Sequence, residues 1–353
     1  MQKIQIPKIR QLQRNSLVIL WCLVAISYAL YLYFAIVLNK TGIDYQTFMD
    51  IGHRWLTGQS VYIVNSYYPM PYVAVFAAFS MLPAWLSILL WLGVPVVTAV
   101  LISGPWVLFF APLFAHFVGG QTSLVGMVGI WGFRRYSGRF LGGALLALAT
   151  LKPQLAILPV GWAAYEWIKS YRLHHKISGS MIGFVSITGL LWIPSFFVYP
   201  NWPFDWLSSP RPLAFRAMAG LLPRSLLLAI PQSILYFAIL IPLAIILLWL
   251  IRRHWSFETS LIWYFIVSPL VHDYDLISLL PILKTHRQRT IAVLLSIPTW
   301  LVILFAYSND FAWFAVTLIP AGLYILALKS GWVTPQPEPI ADPQIRTVHA
   351  QSG

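Results

Sequence analysis

Apolar residues run along this chain in unbroken blocks rather than in alternation. From Ser16 to Leu38 the stretch "SLVILWCLVAISYALYLYFAIVL" carries no charge. Comparable blocks recur as far as residue 328, and about 15 to 24 such residues suffice to enter or cross roughly 30 Å of hydrocarbon as helix. Period-two alternation, the signature of a barrel, is absent. The pattern predicts an all-α, polytopic membrane bundle of about 10 to 12 transmembrane or half-membrane helices, without a separate soluble domain.

Polar interruptions divide these blocks. After the first span comes a polar stretch, 39–68, and then "YYPMP", which places proline near the first turn of the next helix. Residues 69–103 split at Leu82 and Pro83, 105–133 at "GGQTS" (119–123), 139–166 at Lys152 and Pro153, and 257–283 at "HDYD" (272–275). Regular spans are expected near 181–199, 230–251, 291–307 and 311–328, with a second polar loop over 200–229. Residues 1–15 read as a cytoplasmic tail, 16–330 as the membrane-embedded domain, and 331–353, rich in proline, as a disordered tail.

Composition sharpens this picture. The 353 residues are 59% hydrophobic and only 9% charged, with a mean hydropathy of +0.74, outside the range of a soluble domain. The net charge of +13 would suit a nucleic-acid binder, but the cations cluster between apolar blocks: Arg134, Arg135 and Arg139; Lys169, Arg172 and Lys176; Arg252 and Arg253; Lys284, Arg287 and Arg289. Such clusters mark the cytoplasmic face, so a nucleic-acid partner is not expected. A multi-pass cell-membrane protein is expected instead, with its N-terminus in the cytoplasm and the loops at 39–68 and 200–229 outside. The single cysteine, Cys22, rules out a disulfide within the chain.

Ionisable groups at membrane depth cost about 2.5 to 3.5 kcal/mol each, so they face cavities, pair, or act. Basic clusters flank 139–166 on both sides, yet about 28 residues cannot make two full crossings. The segment reads as two half-helices with Lys152-Pro153 at the turn. Proline favours the first helical position, so free amides and an ammonium would meet there as an anion site; a lysine snorkelling beside a kink is the structural alternative. Asp44, just beyond the first span, is a candidate general base, or else a loop acid or helix cap. Asp50 reads as the polar face of an interfacial helix. Gln121 sits in a glycine-permitted helix break where Thr122 or Ser123 could cap. His272, Asp273 and Asp275 form either a proton-handling group or a structural network. Two acids supply too few ligands for a divalent cation, and no metal or cofactor is expected. Arg211, Arg216 and Arg224 could meet a phosphate or anionic headgroups.

A first-loop aspartate, "YYPMP", "GGQTSL", "GGALLALATLKPQLAILP" and "SPLVHDYDLISLLP" follow one another here over residues 16–330. In this order they resemble the polyprenol-phosphate-mannose-dependent mannosyltransferases of glycosyltransferase family 87; a single histidine, His272, stands where other members carry a pair. The resemblance implies the C-type glycosyltransferase fold and inverting transfer of a hexose, mannose in the family's pattern, from a polyprenyl-phosphate donor to a lipid or glycan acceptor hydroxyl outside the cytoplasm. It implies Asp44 as base, His272 in the catalytic centre, and Tyr68, Gln121, Lys152, Gln154, Arg211, Arg216, Asp273 and Asp275 around the substrates. The competing reading is a transporter or flippase for a lipid-linked or anionic solute, which would also use broken helices and intramembrane charges.

Overall fold

A computed structural model describes residues 7–62, 68–209, 218–231 and 233–332. The expected tail beyond residue 332, together with Arg211 and Arg216, lies outside the described residues. Among those described there is no strand, only an isolated antiparallel bridge between Met218 and His272.

The first helix, α1 (Pro7–Leu38), begins well before the apolar block. The polar stretch that follows is not a plain loop. Tyr45, Phe48, Ile51 and Gly52 share one face, and burying that face folds the segment into α2 (Ile43–Leu56). On its other side Asp50 is exposed and pairs with Arg54 at 2.7 Å. The expected break at Leu82 and Pro83 separates α3 (Met70–Ser80) from α4 (Ala84–Ser103).

Three helical hairpins carry the remaining breaks. The first joins α5 (Ala111–Gly119) to α6 (Leu124–Arg135) through 120–123, and the second joins α7 (Phe140–Ala149) to α8 (Pro153–His174) through 150–152. Pro153 starts α8, as its fixed φ favours. The two arms are unequal, however: 10 residues in α7 against 22 in α8, so the second arm is about 33 Å long and not a half-helix. Beyond it stand α9 (Gly179–Val198), α10 (Trp202–Ser208), α11 (Leu221–Ala229) and α12 (Ile234–Ile251). The third hairpin rises as α13 (Phe257–Val267) and returns as a 3-10 helix, Asp273–Ile282. Ten residues at the 3-10 rise cover about 20 Å rather than about 15 Å. That stretch lets a short arm match its partner. The chain closes with α14 (His286–Phe305) and α15 (Leu318–Ser330).

Among the described residues six stretches are long and apolar enough to cross a membrane: Val18–Leu38, Ala84–Ser103, Gly179–Val198, Ile234–His254, His286–Phe305 and Ala312–Ser330. Their outward side chains are apolar, with Phe197 82% and Ile234 87% exposed, as suits lipid rather than water. Inside, small residues let helices touch. A Cβ on Gly143 of α7 would stand 1.7 Å from the carbonyl oxygen of Ser180 in α9, so only glycine permits that backbone approach.

Two apolar cores result. One gathers Tyr45, Phe48, Phe76, Trp91 and Leu151; the other gathers α13, the 3-10 helix and Leu155. Lys152-Pro153 therefore sits where the cores meet, and all three hairpin turns lie at that end of the molecule. The feet of the hairpins, with Arg134, Glu258 and Lys284, lie at the other.

Candidate functional site

The turn between α5 and α6 organises the site. Gly120 takes a left-handed φ of +68°, and a Cβ there would come within 2.6 Å of the Cβ of Tyr45, so glycine is required on both counts. The indole Nε1 of Trp91 donates to the Gly120 carbonyl at 2.7 Å and fixes the turn.

The next three side chains each reach a different element. The Gln121 Nε2 donates to Oδ2 of Asp44 in the first turn of α2. Thr122 pairs its hydroxyl with that of Tyr68 at 2.9 Å, and its carbonyl accepts from the Tyr72 hydroxyl at 3.0 Å. The hydroxyl of Ser123 donates to Oδ1 of Asp275 at 2.5 Å and accepts from Nζ of Lys152 at 2.9 Å. Neither Thr122 nor Ser123 caps α6 with its side chain; Ser123 occupies the cap position, but its hydroxyl serves the ion pair.

Lys152 stands before Pro153, where the broken-helix reading puts it, but it is not an open anion site. Its Nζ lies 2.5 Å from Oδ1 of Asp275, with 1% and 0% of the two side chains exposed, and 4.6 Å from the centre of the Tyr274 ring. Burial of either charge alone would be prohibitive, so the hairpin turns come together as a pair. The other carboxylate oxygen of Asp275 accepts the backbone N–H of His272 at 2.9 Å, while the Asp275 N–H donates to the His272 carbonyl at 3.0 Å. The imidazole stacks on Tyr274 with centroids 5.3 Å apart; its Nδ1 is 3.6 Å from Oδ2 of Asp275, beyond hydrogen-bonding reach. The His272 side chain is 24% exposed, against 0% for Asp275. Asp273 is buried beside it.

Asp44, Tyr68, Gln121, Lys152, His272, Asp273 and Asp275 are thus brought together. Gln154, one turn into α8, takes part through its backbone, whose carbonyl accepts from the Tyr264 hydroxyl at 2.5 Å. Burial holds the Asp44 carboxyl above its ordinary range, while Lys152, His272 and the Gln121 amide each pull it back. A carboxylate so placed is a stronger proton acceptor than a free one. An open cleft of about 380 Å³ follows the opposite flank of α2, lined by Tyr45, Gln46, Met49, His53, Ser80 and Ser87 among others; Asp44 is not among its walls. Among the described residues no group of three or more His, Cys, Asp or Glu side chains could hold a metal ion.

Sequence reading overlooked two participants. His116, one turn before the glycines, is buried with neither ring nitrogen hydrogen-bonded, in the field of Lys152 and Asp275. A histidine within an apolar block was the available signal. Tyr274 supplies the aromatic face under Lys152. Arg224, expected with Arg211 and Arg216 to meet a phosphate or headgroups, is instead fully buried and donates to the carbonyls of Met218 and Trp313 at 3.1 and 2.5 Å, tying the second polar segment to the α14–α15 connection. No protein-family model, curated protein or solved structure matches the chain.

Proposed function

We propose that the chain is a membrane glycosyltransferase of the C-type kind, with 10 to 12 crossings or half-crossings in the notation of its sequence pattern, roughly as hydrocarbon thickness allows. In this reading it moves a hexose from a polyprenyl-phosphate donor to an extracytoplasmic acceptor hydroxyl, with inversion at the anomeric carbon. The acceptor O–H gives its proton to Asp44; the acceptor oxygen bonds the anomeric carbon; the bond from that carbon to the phosphate oxygen breaks, and polyprenyl phosphate leaves as a monoester. The hairpin turns would face outward, with the N-terminus in the cytoplasm. What supports the reading is one observation: the half-buried Asp44 carboxylate, of raised basicity, is held by Gln121 in the same turn whose Ser123 meets the Lys152–Asp275 pair. A base to take the acceptor proton is one of the parts this transfer needs.

A second reading has its own support. A lysine–aspartate pair buried at broken helices beside a histidine is also how transporters handle protons. One experiment separates the two. Purified protein in vesicles is given labelled polyprenyl-phosphate sugar and an envelope lipid or glycan extract. Transfer that disappears in Asp44→Asn, with unfolding temperature unchanged, is the expected result. Full transfer in Asp44→Asn removes the assigned base; no transfer together with solute uptake favours the transporter.

A further inference from the structure

The cleft along α2 is used by neither reading above, and its walls define what it can hold. Much of the wall is fixed. The Tyr45 hydroxyl donates to Oγ of Ser87 at 2.8 Å, Nε2 of Gln46 donates to the Thr41 carbonyl at 3.0 Å, and Phe79 stands edge-on to Trp91 with centroids 4.8 Å apart. Asn39 lies in the lining with a left-handed φ of +47°. Its backbone closes α1, because the Lys40 N–H beyond it reaches the Ala35 carbonyl at 3.2 Å. Its side chain has no such task. Among the described residues the Asn39 amide, the Thr41 hydroxyl and the His53 ring make no hydrogen bond, and Gln46 keeps its Oε1 acceptor.

Depth and charge narrow the occupant. The cleft runs from Asn39 and Thr41, just past the end of the span Val18–Leu38, to Leu82, Ala84 and Ser87, at the start of the span Ala84–Ser103. Both helices leave the hydrocarbon there, so an occupant meets water and headgroups rather than acyl chains. No Asp, Glu, Lys or Arg is among the described lining residues. Nothing in the walls would offset the desolvation of a phosphate or an ammonium. What the walls offer is two amides, a hydroxyl and an imidazole, each able to donate and accept, beside the apolar faces of Tyr45, Met49 and Phe79. A ring of hydroxyls with an apolar C–H face answers that pattern. The volume, about 380 Å³, is at the small end of the roughly 300 to 1,000 Å³ of small-molecule sites, which suits a compact headgroup-sized unit.

We propose that the cleft binds a neutral hexose unit, with Asn39, Gln46 and His53 on its hydroxyls and Tyr45 and Phe79 against its C–H face. The site stands on the other flank of α2 from Asp44. Binding there does not depend on the transferase reading; only the further role, holding a sugar of the acceptor away from the reacting hydroxyl, rests on it.

The test uses the full-length protein in a polyoxyethylene detergent, which carries no sugar, and saturation-transfer NMR on methyl and octyl hexopyranosides, glucuronate and a hexose phosphate. The neutral hexosides should receive saturation and the charged sugars little. N39G/Q46A, in which glycine keeps the left-handed turn and alanine keeps the helix, should bind roughly tenfold more weakly, as the loss of two hydrogen bonds implies. A84W, which puts an indole into the cleft from the first turn of α4, should abolish binding, and T47A, on α2 outside the walls, should leave it unchanged. Unfolding temperatures without sugar check that each variant is folded. Tighter binding of the octyl than of the methyl hexoside marks a glycolipid as the source, and equal binding a free glycan. Absence of saturation in the unaltered protein, or binding that persists in both N39G/Q46A and A84W, would overturn the site. Charged sugars binding as well as neutral ones would overturn the ligand class. The two readings fail separately: hexoside binding without any sugar transfer keeps the cleft and removes the transferase, and transfer without hexoside binding does the reverse.

Discussion

At the turn end of the molecule the buried cation Lys152 is matched by its own carboxylate, Asp275, and at the foot end Arg134 shares the single carboxylate Glu258 with other cations nearby. Lys152 and Asp275 are both almost without exposure and are closed by Ser123, Tyr274 and the His272 backbone. Arg134 is 34% exposed while its partner Glu258 is 4% exposed, and the cations beside it stand at the surface. The difference follows from where water can reach. Between two apolar cores a surplus charge has no solvent to hold it, so the chain brings three separate breaks together to balance it. Where the helices end at an interface, surplus positive charge is tolerated.

The comparison is broken most severely at the buried pair. Lys152→Met leaves the Asp275 carboxylate without its cation, and Asp275→Asn leaves the ammonium without its anion; each should cost about 3 to 5 kcal/mol of stability. The double K152M/D275L removes both charges and should recover most of that loss. Denaturant or thermal unfolding in detergent measures it. A double variant as unstable as the sum of the singles would mean that the pair acts through shape rather than charge.

Arg134→Gln makes the matching change at the foot. Glu258 would be stranded, but Arg134 is a third exposed and water screens much of the interaction, so the loss should be about 1 to 3 kcal/mol. A loss as large as that of Lys152→Met would erase the distinction between the two ends.

Much of this arrangement was legible in the chain. The breaks at Leu82-Pro83, 119–123, Lys152-Pro153 and 272–275 all separate helical elements, because glycine, proline and short polar runs interrupt helices for local reasons. What local patterns do not carry is partnership. Lys152 read as an anion site because Asp275, 123 positions later, is invisible to any window around it. Helix type is equally hard to read locally: the ten residues after His272 wind as a 3-10 helix, 273–282, and so reach further than the α-helical rise would give. Part of α2 is legible within the polar stretch: Asp50 reads as the polar face of a helix and stands exposed on α2, opposite the buried Tyr45, Phe48 and Ile51.

The gentlest test concerns the link between Asp44 and the buried pair. Burial raises the Asp44 carboxyl, and the hydrogen bond from Gln121 lowers it. If Asp44 is the base, it works only when ionised, so kcat/KM should fall as pH drops through its raised pKa, with the acid limb above the pH at which a free aspartate titrates. Gln121→Ala removes a donor that favours the charged form. The Asp44 pKa should rise further and the limb should move to higher pH, with little change on the alkaline side. The sign carries the information: a structural loss would lower the rate at every pH alike. A limb that stays in place, or moves downward, would show that Gln121 does not hold the titrating group, and the functional tie between α2 and the Ser123 turn would go with it.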